Sequence, residues 1–219
     1  LLIAGAVREE SGPEAGRRRL YNAVIAIGKK DGIIDGADKV NLAPFVDYLP
    51  FEGILSVASL DSLIAKTAYS PGSGRRLLSV SESIRALPLI GTESAIPGIA
   101  EPYAQRADII LNPADYSAFA GLPASYQHLR QTQLRAVEAG LPLLLAMPHG
   151  PTAVIDARGH IINAPAANRR GIIDVSVPLA ETGLLPGGGS SLHGLVFSAM
   201  LGMVALFLII RVGIPDRRD

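Results

Sequence analysis

The chemistry open to this 219-residue chain is bounded first by what it lacks. It has no cysteine, which excludes a thiolate nucleophile, a disulfide framework, a cysteine-ligated zinc site and a CxxC redox pair. Its four histidines, His128, His149, His160 and His193, are scattered. None forms the i, i+4 pair of a metal-binding helix, so no metal site and no cofactor are expected. What remains is the chemistry of lysine, carboxylate and hydroxyl groups. They occur as Asp38 and Lys39 ahead of Asp47, as Thr92-Glu93-Ser94 and as Asp115-Tyr116. Twenty basic and twenty acidic residues cancel, so there is no electrostatic footprint for nucleic acid.

The elements that must position these groups alternate between strand and helix. Residues 1–7 (LLIAGAV) and 20–27 (LYNAVIAI) are apolar runs of strand length. Lys-Lys-Asp-Gly at 29–32 is a hairpin turn signal that returns the chain at Ile33. The charged, glycine- and proline-broken residues 8–19 read as a loop, and so do 41–51 and 70–75. Strands are expected over 77–80, 86–90, 108–111, 143–146 and 171–177, and a hairpin over 152–162. Short helices are expected over 60–68 and 94–105. The clearest soluble helix is 126–139, stopped by Gly140. With 23 glycines and 16 prolines the chain is rich in loops, yet 48% of it is hydrophobic, too much for disorder. The length suits one large domain with a small appendage.

The appendage is apolar. After a linker over 184–191, residues 192–210 (LHGLVFSAMLGMVALFLII) carry no formal charge. They would make roughly 28 Å of helix, about one hydrocarbon thickness. The competing reading is a buried core helix, and Arg211, Arg217 and Arg218 directly after it argue against that. The basic tail over 211–219 would then be cytoplasmic, with residues 1–183 on the opposite, periplasmic side of a bacterial inner membrane. The chain opens on Leu1 inside an apolar run with no charged leader before it. We expect further sequence upstream.

Several stretches, in order, resemble one family. Asp38-Lys39 followed by Asn41-Leu42-Ala43-Pro44-Phe45-Val46-Asp47-Tyr48-Leu49-Pro50 is similar to a "DK-x-HLVPFGEY-x-P" motif. Leu89-Ile90-Gly91-Thr92-Glu93-Ser94 stands where that family has "ICYE". Asn112-Pro113-Ala114-Asp115-Tyr116 with Phe119 and Gly121 resembles "N-x-x-D-x-W-F-G". Gln127-His128 with Arg135-Ala136-Val137-Glu138 resembles "QH…RA-x-E", and Gly150 to Gly159 resembles "G-x-T-A-V-I-D-x-x-G". These are marks of the carbon–nitrogen hydrolase (nitrilase) superfamily. The QH…RA-x-E pattern and the apolar C-terminal segment point to its apolipoprotein N-acyltransferase branch.

The resemblance implies an α/β fold, a nitrilase-like αββα sandwich, here N-terminally incomplete and followed by one transmembrane helix. It implies a Glu-Lys-Cys triad whose thiolate takes an acyl group from a phospholipid and passes it to the N-terminus of a lipoprotein. A carboxylate would take the thiol proton and the lysine would stabilise the oxyanion. Lys39 matches the family lysine. Asp47 stands in place of a glutamate close to the triad, one methylene shorter. Glu93 matches the acid after the nucleophile. These three lie on different loops, and convergence on one cleft beside Gly91 is expected, since a buried lysine is costly without a carboxylate partner. Tyr116 and Phe119 fall in the loop bordering the family's acyl pocket, and loop packing is an equal reading for both.

Two parts of the triad are absent. The nucleophile position is vacant, because Gly91 has no side chain. The general-base Glu has no counterpart among the residues upstream of Lys39, since Glu9, Glu10 and Glu14 stand in no matching context. Two explanations stand together: a piece of a longer membrane protein, and a degenerate relative that keeps the fold without the chemistry. Val46, Thr92 and Tyr116, where the family has Gly, Tyr and Trp, suit the second. The expected function is accordingly that of an apolipoprotein N-acyltransferase relative, inactive as the chain stands. The alternatives are a non-catalytic lipid- or lipoprotein-binding scaffold and a nitrilase-type amidase.

Overall fold

Residues 1–11, 18–50, 68–117, 123–165, 171–179 and 191–213 are described by the computed structural model. The first two apolar runs pair as an antiparallel hairpin of β1 (Leu2–Ser11) and β2 (Arg18–Gly28), in register from Leu2 opposite Ile27 to Ser11 opposite Arg18. Both strands run on into the charged stretch read as a loop. The charges there find partners: Arg8 Nη2 lies 2.8 Å from Asp38 Oδ2, and Arg18 Nη1 3.1 Å from Glu9 Oε1. The expected turn leads into β3 (Gly32–Asp38), which completes a three-stranded sheet. The Lys39 amide donates to the Asn22 carbonyl at 2.7 Å, so the lysine leaves the sheet at a defined point.

The second sheet has six strands: β4 (Leu78–Ser79), β5 (Arg85–Pro88), β6 (Ile109–Pro113), β7 (Leu143–Ala146), β8 (Ala153–Ile155) and β9 (Ile161–Asn163), neighbours in that order. The central β5, β6 and β7 are parallel, and the outer pairings are antiparallel. Strands covered on both faces read as continuous apolar runs, and successive side chains here divide between two cores as the pleat requires. Leu87, Ile110, Leu143 and Leu145 join one cluster with Leu129, Ala136 and Ala139 of helix α1 (Ala124–Ala139). Ala86, Ile109 and Leu111 join another that meets Ile3 of β1. Val24 and Ala37 of the first sheet pack with Leu78 and Ile90. The layers are therefore sheet on sheet, with α1 outside the larger sheet. The expected αββα sandwich is matched in its two sheets and this one helical layer. The expected helix over 60–68 lies, Ala68 excepted, outside the described residues.

Two expectations are corrected, and a third is met in part. Residues 94–105 do not form one helix but two 3₁₀ segments, Gly91–Ala95 and Glu101–Tyr103. Pro97 and Gly98 lie between them, and Gly98 has φ +71°, a backbone state no right-handed helix contains. Residues 171–177 form no strand. Their alternation is right, but a strand also needs a neighbouring backbone, and Ile172 is 96% exposed. The third concerns the C-terminal segment. The chain divides into two units, Leu1–Pro186 and Gly187–Asp219. The second contains helix α2 (Ser191–Gly213), which brackets the expected 192–210. Every described side chain from Leu195 to Phe207 is exposed. Among the described residues, however, no helix is long and apolar enough to cross a membrane.

Candidate active site

Lys39 follows directly on β3 and is 1% exposed. Its ammonium donates to Asp47 Oδ2 at 2.6 Å and to Thr92 Oγ1 at 3.2 Å. Asp47 is 2% exposed and also accepts the Ala43 amide at 2.7 Å. A tight loop turns it inward: the Asp47 amide returns to the Ala43 carbonyl at 2.9 Å, and the Phe45 amide to the Tyr48 carbonyl at 2.8 Å. Phe45 is left-handed within this loop, with φ +63°.

Glu93 is equally buried but does not touch Lys39. Its Oε1 accepts the Val40 and Asn41 amides at 3.0 and 2.9 Å and Arg75 Nη2 at 2.6 Å. Its Oε2 accepts the Ile90 amide at 2.8 Å. One carboxylate thus ties the backbone after Lys39 to the backbone before Gly91. Gly91 opens the first 3₁₀ segment with φ +56°, and a Cβ built there would lie 3.4 Å from Lys39 Nζ with nothing else within 4 Å.

Lys39, Asp47, Gly91, Thr92, Tyr116 and Met147 all line a cavity of about 760 Å³, whose walls also include apolar residues of β1. Tyr116 borders it as expected, and Phe119 lies outside the described residues. The Tyr116 hydroxyl is 3.1 Å from His128 Nδ1, with the two rings 4.7 Å apart. Burial raises the Tyr116 pKa above its ordinary value. Burial, and then the nearby charge of Lys39, lower that of His128 to about 4. Neither neighbouring hydroxyl is set up as a nucleophile. Thr92 Oγ1 accepts from the ammonium, and buried Ser94 hydrogen-bonds to Asn112 Oδ1 at 3.1 Å. Among the described residues, no group of three or more His, Asp or Glu side chains could hold a metal ion.

Three residues that build this site were not singled out as site residues in the sequence: Arg75, Asn112 and His128. Asn112 and His128 stand inside motif stretches, but a lone amide and a lone histidine carry no signal of their partners. Arg75 sits in a stretch that reads as a plain loop.

The carbon-nitrogen hydrolase family model matches residues 1–186. The chain belongs to the carbon-nitrogen hydrolase family. Among relatives, it is 37% identical over 179 residues to an apolipoprotein N-acyltransferase of Brucella melitensis, covering 81% of this chain and 34% of that protein. It is 39% identical over 180 residues to the apolipoprotein N-acyltransferase of Rhizobium meliloti, again covering 81% and 34%. It is 34% identical over 220 residues to that of Rhizobium rhizogenes, covering 99% of this chain and 40% of that protein. The chain thus spans well under half the length of these relatives. Among solved structures, Saccharomyces cerevisiae Nit3, a member of branch 10 of the nitrilase superfamily, superposes with a TM-score of 0.55 at 18% identity, covering 76% of this chain and 56% of that one. That likeness establishes the nitrilase-like α/β fold.

Proposed function

We propose that this carbon-nitrogen hydrolase domain handles acyl groups in the manner of an apolipoprotein N-acyltransferase, and that the chain as it stands has lost the covalent step. One observation carries the reading: a buried ammonium, Lys39, on the cavity floor, 3.4 Å from where a side chain at position 91 would begin. An ammonium there favours the oxyanion of an attacked carbonyl, and glycine supplies nothing to attack with. Lys39 is the electrostatic group, with Asp47 holding it and Glu93 joining the two loops. Tyr116 and Phe119 border the acyl chain. The ligands are a phospholipid acyl donor and a lipoprotein N-terminus, a reading supported by the similarity to apolipoprotein N-acyltransferases. The absent side chain at Gly91 equally favours a second reading, in which the pocket serves as a lipid- or lipoprotein-binding scaffold.

The same proposal puts residues 1–183 on the periplasmic side of a bacterial inner membrane, joined through a linker over 184–191 to an anchor over 192–210 and a cytoplasmic tail over 211–219. The exposed apolar side chains Leu195, Val196, Phe197, Met200 and Leu201 support an anchor. They also count against a freely soluble amidase.

The chain incubated with phospholipid vesicles and a lipopeptide acceptor, then followed by mass spectrometry, is expected to bind lipid and to form neither an acyl adduct nor an acylated peptide. Sustained turnover would overturn the loss of chemistry. Gly91→Cys alone is expected to react with an alkylating reagent without multiple turnovers, because the carboxylates of the described site, Asp47 and Glu93, are each held in an ion pair. Turnover by this variant would make Asp47 or Glu93 the base. Deleting residues 191–213 is expected to abolish vesicle association of the chain, and unchanged association would remove the anchor from the proposal.

A further inference from the structure

A second polar group, distinct from the charged one, lies behind Gly91. Asn112 is fully buried, and its Nδ2 donates to the Leu89 carbonyl and, at 3.1 Å, to the Gly91 carbonyl. Carbonyls only accept, so the amide orientation is decided: Nδ2 faces the backbone and Oδ1 faces away from it. Oδ1 lies 2.8 Å from His128 Nε2 and 3.1 Å from Ser94 Oγ. An acceptor at that distance requires the proton on Nε2. Nδ1 then carries the lone pair and accepts a hydrogen bond from the Tyr116 hydroxyl at 3.1 Å. The bonds therefore run one way, from the cavity wall at Tyr116 through His128 and Asn112 to the carbonyls on either side of Ile90. Ser94 Oγ also lies 3.4 Å from His128 Nε2, a spacing that resembles a serine and its base. With its proton committed to Asn112, that nitrogen has no lone pair to offer.

Glycine has the widest backbone freedom of any residue. The left-handed state of Gly91 therefore needs an external hold, and the 3₁₀ segment it opens is only five residues long. Glu93 pins the Ile90 amide, and Asn112 pins the carbonyls before and after it. We propose that Asn112, oriented by His128 and Tyr116, is the positioning residue for position 91, gripping the Leu89 and Gly91 carbonyls so that any side chain at 91 starts out toward Lys39. This inference is independent of the acyl-transfer reading, since it concerns only the geometry between residue 91 and the ammonium.

Gly91→Cys serves as the reporter, with the thiol pKa read from the pH dependence of its reaction with iodoacetamide. Beside Lys39 the thiol should titrate at least about one unit below its ordinary value of about 8.5. Adding Asn112→Leu should return it toward that value, with a drop of about tenfold in alkylation rate near neutral pH. His128→Gln keeps a donor to Asn112 Oδ1 and should preserve the lowered pKa, whereas His128→Phe should lose it. Ile155→Ala, a core truncation two strands away from Asn112, should leave it unchanged. The proposal is overturned if Asn112→Leu leaves the thiol pKa where it was, if His128→Gln and His128→Phe shift it equally, or if Ile155→Ala shifts it as far. A check that does not depend on any variant folding uses the unaltered chain: long-range ¹H–¹⁵N NMR at neutral pH should show His128 as the neutral Nε2–H tautomer. An Nδ1–H tautomer or an imidazolium would overturn the proposal.

Discussion

Two groups of polar side chains surround position 91, and they are built differently. On one side four charges close on themselves, Lys39 with Asp47 at 2.6 Å and Arg75 with Glu93 at 2.6 Å, all deeply buried. On the other side Tyr116, His128 and Asn112 are neutral and joined by directional hydrogen bonds. The charged side needs partners to exist at all, because a lone buried ion is too costly. The neutral side needs only that each donor meet an acceptor. Neither side uses a side chain at position 91. This explains how glycine at position 91 is compatible with an ordered site.

Glu93→Gln leaves Arg75 without its counter-charge, and Asp47→Asn does the same to Lys39. Each is expected to reduce unfolding free energy by about 3–5 kcal/mol, as measured by denaturant titration. A loss under about 1 kcal/mol for both would show that the charges do not hold this side together.

The neutral side should be distinguished by its pH response. In the folded chain His128 titrates near 4, against about 6.5 when unfolded. Between those values the unfolded chain takes up a proton that the folded chain does not. Stability should therefore be at its full value above about pH 6.5 and fall as pH drops toward 4, by up to about 3 kcal/mol. Urea midpoints across that range, compared with His128→Phe, isolate this contribution, and identical slopes in the two proteins would refute it.

Smaller effects sharpen the boundary between the two sides. Gly91→Ala has space for its methyl group, which meets only Lys39 Nζ at 3.4 Å. Its cost should be conformational, about 1–2 kcal/mol for an L-residue in the left-handed state. A neutral or stabilising result would mean that the turn is free to relax. Tyr116→Phe removes one hydroxyl bond to His128 and should cost about 0.5–1.5 kcal/mol. The lowered His128 pKa should survive it, since burial is the leading cause.

Much of the framework was legible because it rests on local rules. The Lys-Lys-Asp-Gly turn dictates a hairpin, and the runs around Leu87, Ile110 and Leu143 have the continuous apolar character of doubly covered strands. Over residues 94–105 a local rule also decides, since Pro97 and the left-handed Gly98 forbid one helix there. Residues 171–177 show a rule that cannot be local: their alternation permits a strand, but strand formation depends on a second backbone. The site divides in the same manner. The need of a buried lysine for a carboxylate is general, and Lys39 meets it with Asp47, eight residues away in the chain. The pairing of Arg75 with Glu93, 18 residues apart, follows from no spacing rule.

Residue types and their order suffice for the alternation of strands, the helix over 126–139, the lack of any thiol and the motif order of a carbon-nitrogen hydrolase. These depend on residue type, period and spacing, which the chain carries along its length. Only the tertiary structure decided that Glu93 turns to Arg75 and the backbone rather than to Lys39, that Gly91 is left-handed beneath the ammonium, and that Asn112 and His128 stand behind it. Those facts depend on which surfaces the two sheets and α1 bring into contact. Hydrogen-bond partners and burial are properties of pairs distant in the chain, and no single stretch of sequence contains both members.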